Sequence, residues 1–210
     1  DNLGFVQPIE SGAVNLMTAG SGIVHSERAG DDLNETSRLH GIQSWMALPE
    51  SEQERDAAFQ HYPAADLPDI DIDGVCVRVI MGEAYGHVSP VHAYSSTLYL
   101  ECLMPKGSEL ALPDTYAEIG AYVVSGSVAI DDRSYGGGVM AVASADAVMT
   151  LVAEEESRIM VVGGEPLGKR YIYWNFVSSS RERIEKAKSD WREGKFGKIP
   201  GEDEYIPLPD

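Results

Sequence analysis

Val75-Cys-Val-Arg-Val-Ile-Met81 begins a long series of short apolar runs that are separated by turn residues. Valine alternates with other residues in this run, and a period of two is typical of a β-strand with one buried face. The later runs are 97–103, 121–124, 127–130, 138–142, 147–152 and 158–163. Regularly spaced short strands of this kind predict an all-β barrel or sandwich.

The C-terminal part of the chain has a different, helical pattern. Ser179-Ser-Arg-Glu182 resembles a capping box, and Gly194 is a natural end for a helix. The residues with helical spacing between them are Ile184, Ala187, Lys188 and Trp191. We expect one amphipathic helix that packs its Ile/Trp face on the β body, followed by an extended, Pro-rich tail.

Composition limits the classes of function. The chain has 210 residues and a formal net charge of −18, which repels phosphate backbones and argues against direct nucleic-acid binding. It contains no apolar run of the roughly 18 residues that a membrane helix needs. Cys76 and Cys102 lie in apolar, strand-like contexts, which fits two isolated, buried thiols in a reducing compartment. We therefore expect a cytoplasmic protein without a membrane partner.

One acidic stretch imitates a calcium site. Asp69-Ile-Asp-Ile-Asp-Gly74 matches the start of an EF-hand loop, but that motif needs a glutamate six residues after the glycine, and Ile80 occupies this position. The following residues alternate like a strand. The stretch is therefore predicted to be an acidic hairpin turn.

The main candidate for chemistry is Asn15-Leu-Met-Thr-Ala-Gly-Ser-Gly-Ile-Val-His25-Ser-Glu27. We predict strands over 13–17 and 23–27, joined by the Gly-x-Gly turn. Residues two apart in a strand face the same side, so the imidazole of His25 and the carboxylate of Glu27 would project together. Such a pair is half of a site for a first-row divalent metal. A surface His-x-Glu at a strand end is the alternative.

A second polar stretch follows a loop over 28–38. Residues 39–48 are predicted to form a strand with alternating character from Ile42 onward. On this alternation Gln43 faces a polar pocket, and His40 could approach the same pocket or be a simple hydrogen-bonded histidine.

Several segments together closely resemble the pirin family. They are Met17-Thr-Ala-Gly-x-Gly-Ile-x-His-Ser-Glu27, His40-Gly-Ile-Gln-x-Trp45, Thr97-Leu-Tyr-Leu100, Gly163-Gly-Glu-Pro-Leu167 and Arg192-x-Gly-Lys-Phe-Gly-Lys-Ile-Pro200. The resemblance implies the cupin superfamily, with tandem jelly-roll-type β-barrels and a C-terminal helix. We expect residues 1–68 to be the C-terminal part of the first barrel plus a linker, 69–178 the second barrel, and 179–210 the helix and tail.

The same resemblance implies a metal site. Pirins bind one iron in the first barrel through three histidines and one glutamate, and the His-x-Glu of the family matches His25 and Glu27. The His-Pro-His segment that supplies the other two ligands is absent, so we expect the chain to start downstream of it and the first barrel to be incomplete. Two ligands are too few for tight binding, and we expect weak metal binding or none.

The second barrel is expected to be metal-free. In a metal-binding cupin, the positions counted back from Gly126 would hold two histidines and a glutamate, but here they are Pro113, Thr115 and Ile119. No histidine follows His92. The second barrel is therefore expected to be structural.

Two functions follow from the resemblance. The first is an Fe(II)-dependent quercetin 2,3-dioxygenase that cleaves a flavonol-like small molecule, with other divalent metals as alternatives to iron. Glu27 would then be both a metal ligand and a catalytic base, with Gln43 in the pocket wall. The second is a non-enzymatic iron- or redox-sensing regulator that binds protein partners. A family member with an unused site is the third reading.

Overall fold

The computed structural model describes residues 1–30, 40–143 and 148–209. The predicted loop over 28–38 therefore lies mostly outside the described residues. The chain divides into two compact units: unit 1 is Asp1–Glu10, Asn15–His61 and Leu167–Asp210, and unit 2 is Ser11–Val14 and Tyr62–Pro166. The expected limits at 68/69 and 178/179 rest on the sequence alone and stay predictions.

The described residues form short strands followed by one α-helix. In chain order they are β1 (Val14–Thr18), β2 (Ala58–Tyr62), β3 (Asp69–Ile72), β4 (Val75–Met81), β5 (Glu83–Ala84), β6 (His87–Val88), β7 (Thr97–Met104), β8 (Glu109–Ala111), β9 (Glu118–Ser125), β10 (Ser127–Ile130), β11 (Arg133–Gly136), β12 (Met140–Val142), β13 (Thr150–Ala153), β14 (Ser157–Gly164), β15 (Tyr171–Tyr173), β16 (Phe176–Ser178) and α1 (Arg181–Arg192). The predicted all-β class with a C-terminal helix is confirmed.

Unit 2 is built from two antiparallel sheets. The larger has the strand order β12-β9-β14-β7-β4-β3, and the smaller has the order β11-β10-β13-β8. The long strands β7 and β14 pair in continuous register from Ser157 opposite Met104 to Gly164 opposite Thr97. Neighbours in a sheet are often distant in sequence, as in the cupin-type jelly roll that was predicted.

The core of unit 2 follows from the alternation in the sequence. In β4, Val75, Val77 and Val79 are fully buried. The expectation that Cys76 is buried is wrong, because it lies on the opposite face of the strand and is exposed. In β7 the buried positions are Leu98, Leu100, Cys102 and Met104. Burial of each such side chain stabilises the fold by roughly 1.5–3 kcal/mol, and one face of each strand supplies them.

The acidic stretch before β4 is a hairpin turn, as predicted. Asp73 has a φ of +51° and Gly74 a φ of +87°, and a glycine adopts this left-handed conformation without steric penalty. The backbone N–H of Gly74 also donates to Oδ1 of Asp71 at 3.0 Å. This carboxylate therefore stabilises the turn.

Unit 1 has less regular structure. Among its described residues the pairs β1–β2 and β15–β16 form separate two-stranded sheets. Helix α1 packs on β15 and β16 and buries Ile184 and Ala187. Its N-cap is Ser180, whose Oγ accepts from the backbone N–H of Arg183, so the helix starts one residue later than the expected capping box would place it.

An aromatic cluster holds the C-terminal part of unit 1 together. It contains Trp174, Phe176, Trp191, Phe196 and Tyr205. Trp191 lies edge-on to Trp174 with ring centroids 4.9 Å apart and stacks on Tyr205 at 5.9 Å. The tail is therefore packed by its own aromatic side chains.

No helix in the described part of the chain is long and apolar enough to cross a bilayer.

Two predicted strands are not formed. Residues 23–27 and the described residues 40–48 have no strand assignment. The backbone of residue Val24 bonds to Asn2 in place of a neighbouring strand. The alternation of apolar and polar residues in these segments is typical of an extended chain. A β-strand also requires a neighbouring strand with which it forms backbone hydrogen bonds.

Candidate functional site

The Gly-x-Gly turn brings the chain close to the C-terminal aromatic cluster. Gly22 has a φ of +145°, and a Cβ built on it would lie only 2.3 Å from Cε1 of Phe196. Any larger residue would collide with this ring, which itself stacks on Phe176 at 5.8 Å. The second glycine of the motif is thus a packing requirement.

His25 and Glu27 follow this turn on an extended segment, residues 22–28, which we call the site loop and which pairs with no strand in the described part of the chain. Both side chains are exposed, whereas Val24 and Ser26 between them are half-buried. The alternation of exposure that a strand would give is therefore retained without a strand. The assignment of His25 and Glu27 as metal ligands, and of Glu27 as a catalytic base, stays a prediction.

A glutamine holds the carboxylate of Glu27. Nε2 of Gln43 donates to Oε1 of Glu27 at 2.9 Å and to Oε2 at 3.0 Å. These two residues were separate candidates in the sequence, and the structure brings them together. An amide that spans both oxygens fixes the orientation of the carboxylate and leaves each oxygen further acceptor capacity.

The residues that the structure describes do not complete a metal centre. Within residues 1–30, 40–143 and 148–209, no group of three or more His, Cys, Asp or Glu side chains is arranged to hold a metal ion. His25 and Glu27 would supply two donors, fewer than the four that the family resemblance implies. The donor set within the described residues therefore fits half of a metal site.

The other histidines have different surroundings. Nδ1 of His61 lies 2.7 Å from Oδ1 of Asn15, and Nδ1 of His87 lies 3.0 Å from the carbonyl oxygen of Tyr85. The ring of His92 lies edge-on to Tyr94 with centroids 5.0 Å apart. His40 is exposed. The expectation that His40 approaches the candidate pocket is not tested by these contacts.

The opposite side of the site loop is bound to the C-terminal tail. Oγ of Ser26 donates to Oε1 of Glu202 at 2.6 Å, and Nε of Arg28 donates to the same oxygen at 3.0 Å. Nη2 of Arg28 donates to the other oxygen of Glu202 and, at 2.7 Å, to Glu204. These hydrogen bonds lower the pKa of Glu202 to about 2, with Arg28 as the main cause and Ser26 next.

The contacts of the tail were not found from the sequence. Phe196 lies in a segment that had contributed only to the family resemblance, and Glu202 is one of many acidic residues. Side-chain pairing between residues 174 or more positions apart leaves no periodic pattern, so no signal in a single sequence could have found it.

The cysteines bear on the redox alternative. Cys76 and Cys102 are both free. Burial raises the pKa of the Cys102 thiol to about 12. A thiol that stays protonated is a poor nucleophile and is slow to oxidise, so Cys102 is suited to packing and not to redox sensing.

Comparison with known proteins identifies two matching segments of the chain. The pirin family model matches residues 1–46, and the model of the pirin C-terminal cupin domain matches residues 99–197. A pirin-like protein of Caulobacter vibrioides is 43% identical over 213 residues, covering 100% of this chain and 74% of that protein. The chain belongs to the pirin family.

Other pirin relatives carry the name of an enzyme. A crystal structure of quercetin 2,3-dioxygenase from Acinetobacter baumannii superposes with a TM-score of 0.89 at 28% identity, covering 100% of this chain and 70% of that chain. A Pseudomonas aeruginosa protein, named provisionally as a quercetin 2,3-dioxygenase, is 32% identical over 204 residues; the match covers 95% of this chain and 63% of that protein. This pirin chain therefore spans about two thirds to three quarters of these relatives.

Proposed function

We propose that this chain belongs to a metal-dependent oxidoreductase of the quercetin 2,3-dioxygenase type, and that His25 and Glu27 are its donors to the metal. The observation that carries the proposal is the similarity of fold to a quercetin 2,3-dioxygenase over the whole of this chain and 70% of that chain, with a TM-score of 0.89. Imidazole and carboxylate together suit first-row divalent metals, and Fe(II) is the ion that we propose.

The substrate class that we propose is a flavonol-like small molecule. The described residues do not complete the metal site, so the chemistry assigned to this chain is limited to its own side chains. The exposed carboxylate of Glu27 would accept the hydroxyl proton of the flavonol, and Gln43 would keep that carboxylate in one orientation. Both free cysteines support a reducing compartment, for which we propose the cytoplasm.

The first experiment measures metal binding. This chain is titrated with Fe(II) without oxygen, and bound iron is determined after gel filtration. We expect sub-stoichiometric, weak binding that His25→Ala removes. His87→Ala is the matched control, because His87 is also exposed and bonds only to a neighbouring backbone carbonyl among the contacts described. One tightly held iron per chain would contradict the two-donor assignment.

The second experiment measures the reaction. Oxygen uptake with quercetin is recorded on the complete natural protein after loading with Fe(II). We expect turnover that falls by about 10²-fold or more in Glu27→Gln, since removal of a general base typically lowers rates by this order. Stoichiometric iron binding without any flavonol turnover would reject the dioxygenase and favour the regulator that binds protein partners.

A further inference from the structure

We propose that Asn2 and the C-terminal segment, residues 196–204, position the His25/Glu27 pair. They act only through the residues of the site loop that alternate with His25 and Glu27 along the chain. The inference rests on the proposed function insofar as it concerns metal ligands. Its physical basis is that the site loop has no strand partner among the described residues, so something other than a ladder must fix it.

The first anchor is Asn2, which bridges the site loop to the C-terminal segment. Its backbone N–H donates to the carbonyl oxygen of Val24 at 2.9 Å, and its Oδ1 accepts from the N–H of Val24 at 3.1 Å. Its Nδ2 donates to the carbonyl oxygen of Phe196 at 2.8 Å. One side chain thus fixes the residue before His25 against the segment that carries Phe196.

The second anchor is Glu202, which accepts hydrogen bonds from both sides of Glu27. Ser26 precedes Glu27 and Arg28 follows it, and both donate to the carboxylate of Glu202. The side chain of Glu202 is only 22% exposed, so water competes less for these bonds than at an open surface. The anchors hold positions 24, 26 and 28, and leave the side chains of His25 and Glu27 exposed, with Gln43 bonded to the carboxylate of Glu27.

The C-terminal segment is itself fixed, which a positioning element requires. Nε1 of Trp191 donates to the carbonyl oxygen of Ile206 at 2.9 Å, and Tyr205 stacks on Trp191. The hydroxyl of Tyr173 donates to the carbonyl oxygen of Pro209 at 2.6 Å. Helix α1 and β15 therefore hold the tail at Tyr205 and beyond it, directly after residues 196–204.

The test compares the parent chain with Glu202→Gln, Asn2→Ala and the control Glu185→Gln. Glu185 pairs with Lys188 on α1, and none of its described contacts is to the site loop. Hydrogen exchange over residues 22–28 should accelerate about five- to tenfold in the two test variants, as expected for the loss or weakening of side-chain hydrogen bonds to the loop, and stay unchanged in the control.

A second readout separates positioning from general loosening. Ni²⁺ is titrated while the NMR signals of the His25 and His61 imidazoles are followed. We expect the Ni²⁺ concentration that half-broadens the His25 signal to rise about tenfold in Glu202→Gln, while His61 is unaffected. Faster exchange with unchanged Ni²⁺ binding at His25 would overturn the positioning role, because the tail would then stabilise the loop without orienting the ligand.

The two proposals fail in different ways. Unchanged hydrogen exchange in both Glu202→Gln and Asn2→Ala would overturn the positioning inference, whatever the result of the Ni²⁺ titration. If the parent chain shows no Ni²⁺ effect at His25, the ligand assignment is rejected, and the exchange data alone then decide whether the tail fixes the site loop.

Discussion

Strand β7 in unit 2 and the site loop in unit 1 are both extended, yet they are held by different means. β7 pairs on both sides, with β14 and β4, and places Leu98, Leu100 and Cys102 in a fully buried row. The site loop pairs with no strand in the described residues. It is fixed by contacts with the side chains of Asn2 and Glu202. Packing in the core fixes β7, whereas the few polar contacts that hold the site loop leave both candidate ligands exposed.

The largest effect is expected from a cavity in the strand that has both partners. Leu100 is fully buried, so Leu100→Ala should lower the free energy of unfolding by about 2–5 kcal/mol. Leu103→Ala is the control on the same strand: Leu103 is 38% exposed and should change stability by less than about 1 kcal/mol. Urea denaturation measures both. Equal effects would show that the alternation of burial in β7 is wrong.

The next largest effect on stability is expected at the site loop. Gly22→Ala forces a methyl group against Phe196 at a backbone angle that favours glycine, and should destabilise the chain by about 1–3 kcal/mol. Gly41→Ala is the control, because nothing lies within 4 Å of its Cβ position.

Phe196→Ala identifies the cause of that effect. If the ring is what the methyl group meets, Gly22→Ala should be milder in a Phe196→Ala background than in the parent chain. A double-mutant cycle in urea denaturation measures this coupling. Strict additivity would refute the close approach between Gly22 and Phe196.

A third prediction uses pH. The pKa of Glu202 is lowered from 4.5 to about 2, so its contribution to holding the loop is complete above about pH 4.5 and is lost as the pH falls through about 2. The ratio of exchange rates in residues 22–28 between Glu202→Gln and the parent chain should therefore approach one in strong acid. A ratio independent of pH over this window would mean that the charge of Glu202 is not what holds Ser26 and Arg28.

The smallest effect is expected from salt. The side chain of Arg28 is 54% exposed, so its ion pairs with Glu202 and Glu204 are screened by added electrolyte. About 1 M NaCl should accelerate exchange in the site loop roughly twofold and leave β7 unchanged. Equal acceleration in both segments would indicate a general effect on stability and would remove the contrast.

The sequence predicted the parts of the fold that depend on local pattern. The run over 75–81 is β4 with the same limits, and 127–130 is β10, because alternation records which face is buried. The strands β15 and β16 were not among the predicted runs, since each has only three residues, too few to show an alternation. Residues 23–27 alternate equally well, but pairing depends on a partner strand that local pattern does not reveal.

The candidate site was predicted in the same uneven way. His25, Glu27 and Gln43 were found because they lie in short motifs, and the contact between Gln43 and Glu27 confirms that two of them meet. Asn2, Phe196 and Glu202 were not found as part of the site, because their contacts join the two ends of the chain. Long-range polar pairing is set by the tertiary fold and has no periodicity to detect.

The acidic hairpin has a consequence for the association of two copies of this chain. Strand β3 is the last strand of the six-stranded sheet, so its outer backbone groups could accept a further strand. Asp69 and Asp71 point outward along it, and Asp69 is tied to Arg78 by two bonds of 2.7 Å. A second copy that approached this border would bring carboxylate against carboxylate. We therefore expect the residues that imitate a calcium loop to disfavour pairing between copies at this edge of the sheet.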